Sequence, residues 1–309
     1  MGGVKTIKIK PEDDGIRLNR WFLREYPALG LGRLQKLLRT KQIKVDGKRA
    51  EASTRLIAGQ ELRLPPLDEQ KAAPKEQNLR SSDVDYILSM VIYKDADIIA
   101  LNKPSGLAVQ GGTNTLRHVD GMLEALKFDA GEKPRLVHRI DKDTSGLLLL
   151  ARNRKIAELL TKAFREHGLQ KTYLAITRGC PERFEGQINM PLEKVGEKSE
   201  VTPAGKKAVT TYKVLDHAGK KYALVEAEPL TGRTHQIRAH LEAIGAPILG
   251  DDKYFGRERK RLSEVADKLY LHAYKIDLSA LFGKKKILTA PLPEHFVNAC
   301  QFLGLETKI

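Results

Sequence analysis

Between Pro65-Pro66 and about Asp83 the chain passes through Ala-Ala-Pro-Lys-Glu-Gln and other polar residues with little apolar pattern. Such a run cannot build a core, so it reads as a flexible linker between a short amino-terminal part and a longer carboxy-terminal one. Two folding units are expected, residues 1–65 and 84–309, joined by a linker over 66–83. A length of 309 residues leaves room for both, and a hydrophobic fraction of 41% can offset the ordering entropy of a packed chain. Wholesale disorder is excluded.

The first unit is strongly basic. The whole chain has 54 Lys and Arg against 39 Asp and Glu, a net charge of +15, and the stretch Gly15 to Pro65 alone has twelve basic residues against four acidic. This favours a polyanionic partner, nucleic acid or an anionic membrane, and charge alone does not choose between them. Leu34, Leu37 and Leu38 form one face of a helix, while Arg33, Lys36 and Lys41 lie around the other side, free for solvent or phosphate. Alternating Ile43 and Val45 run into Asp46-Gly47, a hairpin-turn dipeptide, and Glu61-Leu62-Arg63-Leu64 reads as a later strand. The series RLNRWFL, GRLQKLLRTKQIKVDGKRA and AGQELRLP resembles the S4 RNA-binding domain, whose helical pair and hairpin grip structured RNA.

Several classes fall away. Cys180 and Cys300 stand far apart with no neighbouring cysteine, so neither a CxxC metal pair nor a disulfide framework can be drawn, and a reducing cytoplasm fits best. The longest aliphatic stretch, Leu147 to Ala151, is far short of the roughly 20 residues that span a bilayer, and the first ten residues lack a signal core. Membrane-surface binding would need an amphipathic helix with bulky exposed apolar groups, and none is evident. His235 and His240 are five apart, which does not place both on one helical face, and no metal site is expected.

Beyond the linker, short β-like runs alternate with helices. Residues 153–168 begin at the capping residue Asn153, place Ile156, Leu159, Leu160, Ala163 and Phe164 on one stripe, and stop at Gly168. Strands are expected at 172–177, 209–215 and 222–227, spaced for antiparallel pairing rather than regular βαβ units. The class is α+β.

The segment from Leu136 to Leu150 carries the chemistry. An apolar lead-in, the polar loop His138-Arg139-Ile140-Asp141-Lys142-Asp143-Thr144-Ser145-Gly146 and an apolar exit put ionisable groups at the rim of a core. Apolar walls penalise an ionised Asp141, and a nearby guanidinium would offset that cost and leave a usable nucleophile or base. The plainer reading is a turn in which Asp143, Thr144 and Ser145 cap amides before Gly146 bends the chain; both are expected to hold. A Ser-His-Asp triad is excluded because His138, Asp141 and Ser145 share one short loop and no GxSxG elbow exists. In the segment Leu230 to Leu241, an N-cap at Thr234 would put Ile237, Leu241 and Ile244 on a packing face and His235, Arg238 and Glu242 on another, with Arg238 directed away from the core. The helix start beside Gly232 and Arg233 favours phosphate, although a solvated cap is the commoner reading.

Taken in order, HRIDKDTSG, QKTYLA, TGRTHQIRAHL and LYLHA resemble the RluA family of pseudouridine synthases. The likeness extends over about residues 84–295, from Leu101-Asn102-Lys103-Pro104-Ser105-Gly106 to Ala290-Pro291-Leu292-Pro293. The segments 108–112 and 254–257, with the S4-like start, narrow it to the type-C enzymes of ribosomal large-subunit RNA. Ile140 stands where the family usually has leucine, a volume-conserving change.

The resemblance implies a mixed, mostly antiparallel curved sheet with flanking helices. It implies an isomerase that needs no cofactor or metal and acts on ribosomal large-subunit RNA; a monomer is expected. Asp141 would be the catalytic carboxylate, Arg238 its ion-pair partner at about 3 Å, and Tyr173 the ring against the target base. Arg139 would fill the space of a flipped uridine, and His138 would shape the loop. RNA contacts would fall to Arg233 beside them and to Arg33, Lys36 and Lys41 in the S4-like unit. Another class remains open: a non-catalytic S4-type RNA-binding or ribosome-assembly protein, against which the joint presence of Asp141, Tyr173 and Arg238 argues.

Overall fold

In a computed structural model, the chain is described over residues 4–26, 29–67, 79–111, 115, 117–254 and 265–307. It divides into two compact units, Met1–Asn78 and Leu79–Ile309.

The first unit contains β1 (Lys5–Lys8), α1 (Leu18–Glu25), α2 (Gly30–Arg39), β2 (Lys44–Val45), β3 (Lys48–Arg49) and β4 (Glu61–Leu64). The strands form one antiparallel sheet in the order β1-β4-β2-β3. Asp46 and Gly47 both have positive φ, 48° and 73°, the backbone of a two-residue turn whose twist matches the strands it joins. Leu18, Trp21, Phe22, Leu34, Leu37, Leu38, Ile43, Leu62 and Leu64 close the core. Arg33, Lys36 and Lys41 are exposed, with Lys41 just beyond the end of α2. Asp13 is buried against Arg24, which grips both carboxylate oxygens at 2.6 and 2.9 Å, and Trp21 Nε1 adds a third bond at 3.1 Å.

The second unit opens with α3 (Ser81–Leu88), so the last residues of the run expected to be linker are helical; residues 68–78 of that run lie outside the described residues. Asp83 in the first turn of α3 is held by Arg117 at 2.7 Å. Next along the chain come β5 (Val91–Lys94), β6 (Ile98–Lys103), α4 (Val119–Met122), β7 (Arg135–Leu136), β8 (Ser145–Ala151), α5 (Arg154–Arg165), β9 (Gln170–Arg178), β10 (Glu185–Asn189), β11 (Leu192–Val195), β12 (Lys198–Val201), β13 (Val209–Ala218), β14 (Tyr222–Pro229), α6 (Gln236–Ala243), β15 (Leu271–Asp277), α7 (Ser279–Phe282), β16 (Ile287–Thr289) and α8 (Glu294–Leu303). Among the described residues, ten strands make one mixed sheet in the order β10-β13-β14-β9-β15-β8-β6-β5, with β16 beside β15 and β7 beside β8. Every pairing in it is antiparallel except β15 with β8. A separate hairpin joins β11 to β12.

β8 explains the run of four leucines, because all seven of its residues are buried and a strand covered on both faces loses the usual alternation. Gly146 is not a turn residue, as expected, but the second residue of that strand. Its φ is 105°, and a Cβ there would come within 2.2 Å of the Ala273 carbonyl of β15. Gly146→Ala should therefore destabilise the protein by roughly 3 kcal/mol or more, through strain and a backbone clash together, and a thermal melt of the purified variant measures it.

The start of α5 agrees with its sequence: Asn153 Oδ1 accepts from the Ile156 amide at 2.9 Å. Its end differs. The left-handed residue is His167, φ 58°, and Gly168 comes after it with its amide bonded to the Ala163 carbonyl at 3.0 Å.

Candidate active site

The loop from Val137 to Thr144 connects β7 to β8 and is clamped from two sides. Lys103, at the end of β6 and fully buried, donates from Nζ to the carbonyls of Pro104, Leu107 and Lys142 at 2.8 to 2.9 Å. Burial pulls its pKa down to about 7, with Asp143 and Asp141 opposing. The Gly106 amide also bonds the Lys142 carbonyl, at 3.0 Å, and Ser105 Oγ bonds that of Asp143, at 2.7 Å. Residues 103–106 thus hold the backbone immediately after Asp141, a physical role for this motif that its sequence alone did not disclose. On the other side, His138 Nε2 accepts the Leu149 amide of β8 at 2.8 Å, and its ring stacks on Phe164 of α5 with centroids 4.2 Å apart. Burial depresses the imidazole to about 3, so it remains a neutral acceptor. Ser145, expected to cap a backbone amide, instead meets His272 Nδ1 at 2.9 Å.

Asp141 lies at the middle of this clamped loop, with 29% of its side chain exposed. It borders a cleft of about 400 Å³, which is within the roughly 300–1,000 Å³ range of small-molecule sites. His138, Arg139, Tyr173, Arg233 and Arg238 line the same cleft, so six of the residues singled out from the sequence converge here. Arg33, Lys36 and Lys41 belong to the other compact unit. An adjoining hollow of about 500 Å³ shares Arg139, Asp141 and Arg238 and adds Lys142, Lys194 and Lys253, extending the basic lining.

Arg238 is placed differently from expectation in two respects. α6 starts at Gln236, and its N-cap is His235 rather than Thr234. Arg238, on its first turn, is 4% exposed and does not project away from the core. Its Nε and Nη2 bond both carboxylate oxygens of Asp251 at 2.7 Å each, leaving Nη1 to face Asp141 Oδ2 at 3.6 Å. A guanidinium serves both because its donors fan out in one plane. Burial acts against its charge, but the Asp251 bonds outweigh this and raise its pKa.

Asp251 escaped the sequence reading. It stands directly after the apolar run Ala246-Pro247-Ile248-Leu249-Gly250, and a carboxylate at the end of such a run was the available signal. It also accepts the amides of Lys253 and Tyr254 at 3.0 and 3.2 Å. Gly250 before it has φ 74°, and a Cβ there would lie 1.7 Å from the Lys268 carbonyl, so only glycine fits this approach.

Tyr173 on β9 lies opposite Ala227 of β14 and Ala273 of β15, small neighbours that leave its ring room. Burial and the Asp141 charge raise the pKa of its hydroxyl, which therefore stays protonated. Two further basic groups flank the cleft: Lys171, whose pKa burial lowers, and Arg233, whose Nε is tied to the Lys207 carbonyl at 3.0 Å.

The neutral imidazoles make stability depend on pH. Burial holds His272 at about 4 and His138 at about 3, both below the ordinary 6.5. The unfolded chain binds these protons first, so the stabilisation is complete above about pH 6.5 and is lost as pH falls toward the folded values. Melting temperature should decline between about pH 6.5 and 4, and His272, fully buried, contributes about 1.4 kcal/mol per pH unit across its window. A constant melting temperature over that range would contradict the assignment.

One partly exposed carboxylate beside a buried arginine and an aromatic ring, in a basic cleft, suits chemistry on an anionic polymer bearing flat bases. The RNA pseudouridylate synthase family model matches residues 97–243. Ribosomal large subunit pseudouridine synthase C of Rickettsia bellii is 40% identical over 292 residues, covering 91% of this chain and 95% of its own. The protein of that name from Escherichia coli (strain K12) is 36% identical over 316 residues, with 97% of each covered. Among solved structures, human RNA pseudouridylate synthase domain containing 4 superposes with a TM-score of 0.62 at 28% identity, covering 72% of this chain and 96% of its own. The chain belongs to the RluA family of RNA pseudouridine synthases, and is an isomerase. The segments 108–112 and 254–257 that suggested the type-C group fall partly outside the described residues, at Gly112 and at 255–257.

Proposed function

We propose that this chain converts specific uridines of ribosomal large-subunit RNA to pseudouridine, with Asp141 as the catalytic carboxylate. The observation that carries this is the position of Asp141: its loop is braced by Lys103 and His138, its side chain is open to the cleft, and Arg238 Nη1 lies 3.6 Å away. The relatives named for the large subunit, aligned over nearly their full lengths, supply the RNA class.

In the reaction the N1–C1′ bond breaks, the uracil turns, and C5 bonds to C1′; C5 loses its proton and N1 gains one. Asp141, with the Arg238 guanidinium 3.6 Å away, serves either by attack on C1′ or by taking the C2′ proton. Tyr173 offers a neutral ring on which the extruded pyrimidine stacks, and Arg139 replaces it in the helix. Extrusion costs a few kcal/mol, which phosphate contacts to Arg233 and the neighbouring lysines offset. Incubating the protein with 5-tritiated uridine in large-subunit RNA tests the reading: tritium release is expected there, with little from small-subunit RNA. Release from neither would leave a binding protein.

The first unit is proposed as an S4-type RNA grip. Deleting residues 1–78 should weaken binding to large-subunit RNA about tenfold or more and flatten its salt dependence, since each lost phosphate contact removes roughly 0.7–0.9 from the slope of log K against log salt. A filter-binding series over salt concentration measures both; an unchanged slope would remove the S4 assignment.

A further inference from the structure

His235 is set apart by its backbone. It is left-handed, φ 52° and ψ 23°, at the N-cap of α6, a conformation that costs a non-glycine residue roughly 1 kcal/mol and persists where surrounding contacts impose it. The turn aims its ring into the cleft, with Nε2 3.7 Å from Asp141 Oδ2. That separation is an electrostatic contact, longer than a formed hydrogen bond. On the other side Nδ1 lies 3.2 Å from the Tyr254 hydroxyl, and the two rings meet edge to face at 5.7 Å.

Tyr254 is itself anchored. Its hydroxyl oxygen accepts the Ser199 amide of β12 at 2.6 Å, while Ser199 Oγ donates to the Thr234 carbonyl at 2.7 Å. The Asp141 carboxylate facing Nε2 favours the tautomer with its proton on that nitrogen, and in that tautomer the Tyr254 hydroxyl gives its hydrogen to Nδ1. Nδ1 accepts in this tautomer, which leaves the ring proton on the nitrogen that faces Asp141. The reverse tautomer would aim a lone pair at a carboxylate.

We propose that His235 is a positioning residue for the Asp141 carboxylate, presenting a neutral Nε2–H whose tautomer is supported by Tyr254 and the β11–β12 hairpin. The inference rests on the reading of Asp141 as the reacting carboxylate. Arg238 supplies the charge beside Asp141, and His235 supplies direction from a second side. The imidazole itself is faced by the anions Asp141 and Asp251 and the cations Arg238 and Lys253, with Glu197 close by. Burial, the largest influence, disfavours its charged form, and Asp141 opposes that.

Amide substitutions separate this role from a merely structural one. The glutamine amide nitrogen stands in for Nε2 and that of asparagine for Nδ1, while asparagine is the better residue in a left-handed backbone. His235→Asn should keep the melting temperature and KM but lower kcat about tenfold, because Asp141 loses the N–H that faces it. His235→Gln should retain kcat within about threefold. Tyr254→Phe should lower kcat severalfold in the wild-type background and not at all in His235→Gln, whose amide has no tautomer to set. Wild-type kcat in His235→Asn, a glutamine variant no better than the asparagine one, or equal losses from Tyr254→Phe in both backgrounds would each overturn the proposal. Asp141→Asn, run alongside, separates these outcomes from failure of the catalytic reading: if it is active, that reading fails, whatever His235 does.

Discussion

Asp141→Asn should yield a folded protein that still binds large-subunit RNA and releases no measurable tritium from 5-tritiated uridine, a loss of at least about 10³-fold. Asparagine keeps the shape of the side chain while removing the negative charge and turning one acceptor oxygen into a donor. The loop is held by Lys103 and His138 through backbone carbonyls and an amide, not through the Asp141 carboxylate, so the substitution leaves the clamp intact. A circular-dichroism melt and an RNA-binding isotherm should match the wild type. Near-normal tritium release by the variant would refute the assignment of Asp141.

The second large effect is expected at Arg238, and Asp251 changes its character. Removing the guanidinium does not merely free Asp141; it leaves Asp251 as a buried carboxylate without its cation, and such a loss typically costs roughly 3–5 kcal/mol. Arg238→Ala should therefore lower the melting temperature as well as abolish tritium release. Arg238→Lys should fold but lose much of the rate, since one ammonium cannot bond Asp251 through two donors and still face Asp141. Asp251→Asn should fall between them, because an amide reproduces one of the two bonds to Arg238 and weakens its orientation. Equal activity in Arg238→Lys and wild type would show that the planar fork is not needed.

How far the sequence was legible depends on the range of the interaction concerned. The Asn153 cap, the leucine face of α2 and the Asp46-Gly47 turn were readable because each depends on neighbours within a few residues. The strands expected at 172–177, 209–215 and 222–227 lie within β9, β13 and β14 for the same reason. Local rules were less able to place boundaries. α5 ends at Arg165, with the left-handed residue at His167 rather than Gly168, and α3 begins inside a run whose apolar content suggested no element.

The cleft residues came from three short segments, two in which charged groups interrupt apolar surroundings and a third, QKTYLA, named through the family resemblance, and their presence in one cleft results from pairing among β8, β9, β14 and β15 and the placement of α6 after β14. The sequence by itself determined the apolar runs, the caps and turns, the basic first unit and the density of charge around Asp141. Only the tertiary structure decided that Arg238 divides its donors between Asp251 and Asp141, that Lys103 braces the loop from 39 residues away, and that Gly146 is required by the Ala273 carbonyl. Periodicity along a chain reports which face is buried. The direction of a buried charge is set by the partners that long-range folding brings within 3 to 4 Å of it, and those partners leave no periodic mark on the sequence.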